Sequence, residues 1–439
     1  MAVKIKLAIL SLIFLSISAV LFTSLSEAQT NGMLVDRYGR PLPEKQFFNN
    51  HPDIVGRLEP PFGTFINSLI PGNSFGLFLP YEVYPGGDWE EAVGIGDFNN
   101  DGLNDVATSE DFFTGYLRIY LQNTSGTLDK PVLYDIGSRP STLAVGDLNN
   151  DGRDDVVTAN FHDDKIGVFL QKSNGTLASQ VTYNTSTGPD AIAVADLNDD
   201  GRDDVVVSHW TASNIGVFIQ NTNGTLDPIV SYSAPQSGYD DIDTGDLNND
   251  GLIDVVKMNG QGGNPALSVY LQTISGTLSG PISYDHEGGN GVAVGDLTGD
   301  GRQDIAFTYG GNGPSANLAV FTQTVTGTLK LDATYSAYDI PEPVEIADVD
   351  MDGLQDVVTI HGGWEAMGVF LQQPDGTLSP YELYDLPYAT RYGPQGLDLG
   401  DINNDGLPDV TIANYGRGLV ILHHISHPKR RVYLPLLLH

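Results

Sequence analysis

One nine-residue string, Asp-x-Asn-x-Asp-Gly-x-x-Asp, recurs seven times in 439 residues, beginning at Asp97, Asp147, Asp196, Asp246, Asp296, Asp348 and Asp401. Successive copies stand 49 to 53 residues apart. A period of this size, repeated this often, restricts the chain to repeat architectures. A second string follows each of the first six copies, as in Ile119-Tyr120-Leu121-Gln122 followed by Gly126-Thr127-Leu128. Its other copies run from Val168 to Leu177, Val217 to Leu226, Val269 to Leu278, Val320 to Leu329 and Val369 to Leu378.

Between the strings the apolar residues alternate with period two. Leu143-Ala144-Val145 leads into an acidic string, Asp155 to Thr158 leaves it, Ile166 to Leu170 follows, and Val181-Thr182-Tyr183 ends the unit. These short β-branched and aromatic runs, separated by Gly, Asn and Asp, predict four strands, A to D, in each repeat of about 50 residues. The acidic string is then the A–B turn and the Gly-Thr pair the C–D turn. Phe75 to Tyr84 reads as a strand D lacking its own A, B and C, and Leu419 to His423 as a strand C lacking a D. The fold predicted is an all-β, seven-bladed β-propeller of four antiparallel strands per blade over residues 74–424. The ring is closed by pairing of the N-terminal strand with the C-terminal blade, which removes exposed edges.

Side-chain oxygens at positions 1, 3, 5 and 9, a glycine at 6 and a carbonyl at 7 suit a hard cation, and calcium above all. The ligand positions are Asp97, Asn99, Asp101 and Asp105; Asp147, Asn149, Asp151 and Asp155; and Asp196, Asn198, Asp200 and Asp204. They continue as Asp246, Asn248, Asp250 and Asp254; Asp296, Thr298, Asp300 and Asp304; Asp348, Asp350, Asp352 and Asp356; and Asp401, Asn403, Asp405 and Asp409. Thr298 should weaken the fifth site, whereas the extra charge of Asp350 should tighten the sixth. The first half matches an EF-hand loop, but position 12 is Thr108, Thr158 or Val207 instead of glutamate, and strands replace the flanking helices. The competing reading is an Asp/Asn-rich turn without metal, set against the repulsion of three carboxylates within nine residues. Up to seven Ca2+ ions are expected, chiefly as structural staples.

Repeats of this kind between strands resemble the FG-GAP/VCBS repeat family, which includes the propeller of integrin α subunits. The resemblance spans roughly residues 74–424 and implies a seven-bladed propeller with calcium in the A–B hairpins of its lower face. The Phe-Gly and Gly-Ala-Pro words of that family are not repeated, and only Phe75-Gly76 echoes one. No integrin leg domains or membrane span follow, so integrin-type signalling is not implied.

The ends carry different signals. Residues 1–28 read as a signal peptide, with Lys4 and Lys6 before the apolar run Leu7 to Phe22 and a cut after Ala28. That predicts a secreted, extracellular or cell-surface protein with no membrane span after cleavage. Residues 29–73, which include Pro41, Pro43, Pro60, Pro61 and Pro71, form an extended leader, and residues 425–439 a basic then apolar tail. The chain has no cysteine, which removes disulfide scaffolds, thiolate metal sites and cysteine nucleophiles. Its formal charge of −35 argues against nucleic acid as a partner. Twenty-two of its 56 acidic residues stand at the ligand positions, so much of that charge is localised.

All three tryptophans, Trp89, Trp210 and Trp364, fall in the D–A and B–C loops opposite the metal face. Near them lie His162, Asp163, Asp164, His209, Tyr239, His286, His361 and Tyr392. Aromatic faces beside polar groups form either a ligand-binding rim or a plug in the wide end of the ring. His-Glu-x-x-His, Gly-x-Ser-x-Gly, phosphate-loop and dinucleotide motifs are absent from the sequence. The function predicted is a monomeric calcium-binding adhesion or recognition module, not an enzyme, that binds a protein or glycan through these loops. The alternative is a secreted carbohydrate-active enzyme, polysaccharide lyase-like, with its site on the same face.

Overall fold

A computed structural model describes residues 76–425, except 88, 111–114, 138, 236–237, 261–264, 390–391 and 394. The predicted signal peptide, the leader and all but the first residue of the tail lie outside the described residues. Seven four-stranded antiparallel sheets follow one another along the chain, and the molecule is a seven-bladed β-propeller. Blade 1 consists of Glu90–Gly96, Asp105–Glu110, Gly115–Tyr120 and Val132–Gly137. Blades 2 to 6 repeat this order, their A strands beginning at Pro140, Pro189, Asp241, Gly289 and Pro341.

Blade 7 is assembled from both sides of the sequence. Leu397–Gly400, Asp409–Asn414 and Gly418–Leu422 supply A, B and C, and Glu82–Pro85 supplies D. Glu82 pairs with Ile421 and Pro85 with Gly418. This strand D is shorter than the predicted Phe75 to Tyr84. Before Glu82 only a single bridge, Phe78 with His424, carries the pairing. Pro80 lies between the two and has no N–H to give to the ladder.

The core is divided among the blade interfaces. Seven clusters of buried side chains each span two neighbouring blades, the last joining Val93, Val106 and Tyr120 of blade 1 to Ala413, Leu419 and Ile421 of blade 7. Strand B is buried along its whole length in blades 2, 3 and 5, so it departs from the period-two alternation expected of the repeat.

The second repeated string locks one blade to the next. A Cβ on Gly126, in the C–D turn of blade 1, would lie 2.6 Å from the Asn403 carbonyl oxygen of the seventh acidic loop. Gly175, Gly224, Gly276, Gly327 and Gly376 meet Asn99, Asn149, Asn198, Asn248 and Thr298 in the same way. All six have φ between 71° and 77°. Glycine is therefore required twice over, by the left-handed turn and by the close approach. The sixth acidic loop receives no such turn, because blade 7 takes its strand D from another part of the chain. His424 donates from Nε2 to the Val349 carbonyl there instead (2.8 Å). Among the described residues no helix is long and apolar enough to cross a membrane.

Candidate functional site

Each acidic loop is built on its own hydrogen bonds. The first aspartate accepts the N–H groups of positions 5 and 6, as Asp147 does from Asp151 (2.9 Å) and Gly152 (2.7 Å). Position 2 is apolar and buried, so the loop is anchored in the core by Phe98, Leu148, Leu197, Leu247, Leu297, Val349 or Ile402. Its N–H donates to the aspartate at position 9, as Leu197 does to Asp204 Oδ2 (3.1 Å). The other oxygen of that aspartate accepts the N–H that follows strand C, as from Gln220 to Asp204 Oδ1 (2.7 Å). The Gln220 amide in turn donates to the Asp147 carbonyl of the preceding loop (2.8 Å). Asp105, Asp155, Asp204, Asp254, Asp304, Asp356 and Asp409 are all buried in this role.

Burial pushes Asp105, Asp155, Asp204, Asp254 and Asp356 up to about 7 and Asp304 to about 6, against the opposing effect of their N–H donors. Neighbouring loop carboxylates raise them further, Asp200 and Asp196 at positions 5 and 1 for Asp204, and Asp350 and Asp352 at positions 3 and 5 for Asp356. A cation among these groups would reverse that repulsion.

Position 3 carries a different signal. Asn198 Oδ1 and Asn248 Oδ1 are buried and accept no hydrogen bond. An orphaned buried oxygen at the position assigned to a ligand fits a cation. In the sixth loop Asp348, Asp350 and Asp356 bring carboxylate oxygens within 4.8 Å of one another, the one such convergence among the described residues. In the second, third and fifth loops the position-7 arginine pairs with the position-5 aspartate, Arg153 with Asp151, Arg202 with Asp200 and Arg302 with Asp300. The loops thus differ in charge compensation, a distinction carried by the residue after the glycine.

The opposite face is irregular. Trp89 packs edge-on against Tyr415, Trp210 against Phe161 and Tyr239, and Trp364 against Tyr338. The tryptophans stand on different blades, each against its own aromatic partner. Of their predicted neighbours, His209, His361 and Tyr392 are buried, contrary to a place on the rim. His209 is held between Thr185 Oγ1 (2.6 Å) and the Asn214 carbonyl (3.1 Å). Nδ1 of His361 donates to the Asp339 carbonyl (2.6 Å). Burial pushes both imidazoles down to about 4, so they are neutral and structural. His162 and Asp163 are exposed, and His286 packs on Phe307 and Tyr309.

The connection between strand D of blade 6 and strand A of blade 7 reaches other blades. Gln395 Nε2 donates to the Ile192 carbonyl (2.5 Å), Tyr392 N–H to Glu342 (2.6 Å), and Tyr239 O–H to the Tyr392 carbonyl (2.9 Å). Beside it, Trp210, Phe161, Tyr239, Thr142 and Asp190 line a cavity of about 30 Å³. A larger space of about 290 Å³ lies among the A strands, lined in part by Asp241, Asp243, Glu345 and Asp398. Three of these carboxylates tie blades together: Asp241 accepts from Val292 N–H (2.9 Å), Asp243 from Val294 (2.7 Å) and Asp398 from Ile95 (2.8 Å). Near the mouth, Lys257 is completely buried and paired with Asp240 (2.8 Å). The sequence pattern did not single out Lys257, although a lysine inside the strand Asp254–Met258 is itself a sign of a buried ion pair.

A model of the FG-GAP-like repeat matches residues 97–158, 147–207, 196–257 and 348–412, just over half the chain. The chain belongs to the FG-GAP-like repeat family. Of the seven acidic loops, the fifth, with Thr298 and Gly299, lies outside every matched segment of this FG-GAP chain. Comparison with curated proteins gives no match. Among solved structures, a lectin from Agrocybe aegerita that recognises non-reducing terminal N-acetylglucosamine is similar, with a TM-score of 0.51 and 16% identity over 74% of this chain and 86% of that one. BBS1N, solved in complex with ARL6DN, has a TM-score of 0.53 and 12% identity over 80% of this chain and 98% of that one. At such identities the likeness is one of fold.

Proposed function

We propose that this FG-GAP propeller is an exported, calcium-binding recognition module that engages a protein or glycan ligand through the loops opposite its acidic face. The observation that carries this reading is the cavity at Trp210, where half-exposed aromatic rings meet carboxylates and hydroxyls on the irregular face. Aromatic anchors beside satisfiable polar groups are the usual composition of an interface centre. Structures of similar fold cover both ligand classes, since the Agrocybe aegerita lectin recognises non-reducing terminal N-acetylglucosamine and BBS1N was solved in complex with ARL6DN.

Calcium would be held at positions 1, 3, 5 and 9 of the loops, with the sixth favoured by its converging carboxylates. The ion would neutralise the loop carboxylates and tie position 3 to position 9, which already supports strand C. The opposite face would then be displayed on a stiff scaffold. Export rests on the basic start and apolar run of residues 1–28.

The test is ligand capture in calcium, by glycan array and by pull-down from extracellular fluid and cell-surface fractions. Capture by the wild type that is lost when Trp89, Trp210 and Trp364 are replaced together by alanine supports the reading. Capture unchanged in that variant, or absent from both assays, counts against it.

A further inference from the structure

Lys257, on strand Asp254–Met258, is held at two points inside the protein. Its Nζ lies 2.8 Å from Asp240 Oδ1 and 2.6 Å from Asn259 Oδ1. The Lys257 and Asp240 side chains are both 0% exposed. Burial pulls the Lys257 ammonium below the usual lysine range, against the opposing effect of Asp240. A buried ammonium–carboxylate pair sheds its desolvation cost by passing one proton across, which leaves a neutral amine beside a neutral carboxyl. An unprotonated amine is a nucleophile, and here it is fixed in contact with a carboxyl group.

A second acid stands next to the pair. The Asp240 N–H donates to Asp190 Oδ2 (2.9 Å). Burial, and after it the Asp240 carboxylate, pushes Asp190 up to about 7, so near neutral pH a large share of it carries a proton. Asn259, the other group in reach of Nζ, is held through Nδ2 by the Pro265 carbonyl (2.7 Å) and Ser268 Oγ (3.2 Å). Its fixed Oδ1 aims the amine.

We propose that Lys257 and Asp240 condense into an intramolecular isopeptide bond. The Nζ lone pair forms the bond to Asp240 Cγ, and the carbonyl π pair moves onto oxygen. Asp190 gives its proton to the departing Asp240 oxygen as the Cγ–O bond breaks, and Nζ returns a proton to Asp190. Ammonium and carboxylate thus become an amide and one water, with no oxidant, reductant or further reactant. The bond ties the connection ahead of strand Asp241–Gly245 to strand Asp254–Met258. It anchors the neighbour of Tyr239, which packs on Trp210 (6.2 Å) and donates to the Tyr392 carbonyl (2.9 Å), in a chain with no cysteine for the purpose.

The experiment is mass spectrometry of the full chain, intact after denaturation and again after digestion with trypsin. No Lys or Arg lies between Arg202 and Lys257, or between Lys257 and Arg302. The bonded protein should therefore give one peptide, residues 203–302, lighter by one water and uncut at Lys257. Its fragment ions should join Asp240 to Lys257. Lys257→Arg should restore the full mass and the cut at 257. Asp190→Asn should lower the bonded fraction at least tenfold in a protein whose circular dichroism matches the wild type. The wild-type peptide decides the matter even where a variant fails to fold. Cleavage at Lys257 with the full mass overturns the proposal. Water lost with Lys257 still cut, the mark of an Asp-Gly succinimide, also overturns it. So does loss of ammonia in place of water, which moves the bond to Asn259. An unchanged bonded fraction in folded Asp190→Asn overturns the part given to Asp190. Ligand capture is measured separately, so failure here leaves the recognition reading standing.

Discussion

The two faces of the propeller are made by opposite strategies. On the acidic face seven loops repeat the same hydrogen bonds, and each of six C–D turns rests on the loop of the preceding blade. On the other face the described loops make different contacts: Trp210 meets Phe161 and Tyr239, whereas Tyr392 and Gln395 reach out to Glu342 and Ile192. Repetition supplies stability in many small equal parts, and irregularity supplies a single distinctive place. The difference teaches where to look for each property: scaffold energetics in the repeated loops, specificity in the loops that break the pattern.

That contrast can be broken most forcefully by withdrawing the proposed calcium. Chelation should lower the melting temperature, by about 1 kcal/mol of stability for each loop whose ion stands at ten times its Kd. Asp350→Asn should remove the largest single share of that loss, as read by calcium titration of the unfolding midpoint. An unmoved midpoint after chelation would make the acidic loops self-sufficient turns.

Point substitutions come next. Asp204→Ala strands the N–H groups of Leu197 and Gln220, so about 4 kcal/mol should be lost, each stranded donor costing roughly 1–3 kcal/mol. On the opposite side, Lys257→Met leaves Asp240 buried without its cation and should cost about 3–5 kcal/mol. Urea unfolding measures both. If the repeated face is modular, the midpoint shift from the equivalent Asp155→Ala should match that of Asp204→Ala.

Acidity tests the space between the faces. Burial pushes Asp243 and Asp398 up to about 6, above their value in the unfolded chain. Their folded forms hold protons more tightly, so the stability they contribute is complete below pH ~4 and is lost as pH rises through about 6. Relative to Asp243→Asn, the wild type should therefore gain melting temperature between pH 7 and pH 4. A constant difference across that range would show that Asp243 does not titrate there.

The smallest effect concerns an exception to the repeat. Position 4 of every acidic loop has a positive φ, and it is Asn, Asp or Gly in all but the sixth, where Met351 adopts 60°. Met351→Gly should stabilise the protein by about 1 kcal/mol, the usual cost of a left-handed side chain. Thermal unfolding with and without calcium would show whether this strain belongs to the loop alone.

Repetition also decided what could be read without coordinates. The blade count, the turns and the pairing of Glu82–Pro85 with Gly418–Leu422 follow from a period and a parity of strands, both of which are linear properties. The buried states of His209, His361 and Tyr392 do not, because a loop residue's burial depends on which other loops fold over it. Lys257 with Asp240, and Gln395 with Ile192, join residues far apart or outside the period, so no local spacing announces them. The double role of position 9, pinning strand C while standing among the expected ligands, was likewise hidden behind a motif that reads simply as metal-binding.

Blade 7 has a mechanical consequence. Its last two strands run antiparallel with Leu77, Phe78 and Leu79 beside Ile425, His424 and His423, so the chain departs from both strands at the same end of the ladder. A force pulling those two departures apart would load the rungs one after another, beginning at Leu77 and Ile425, as a zipper is opened. A force applied through only one of them and through a ligand on the far face would not peel that seam. A tether under tension should therefore hold this propeller by a single end.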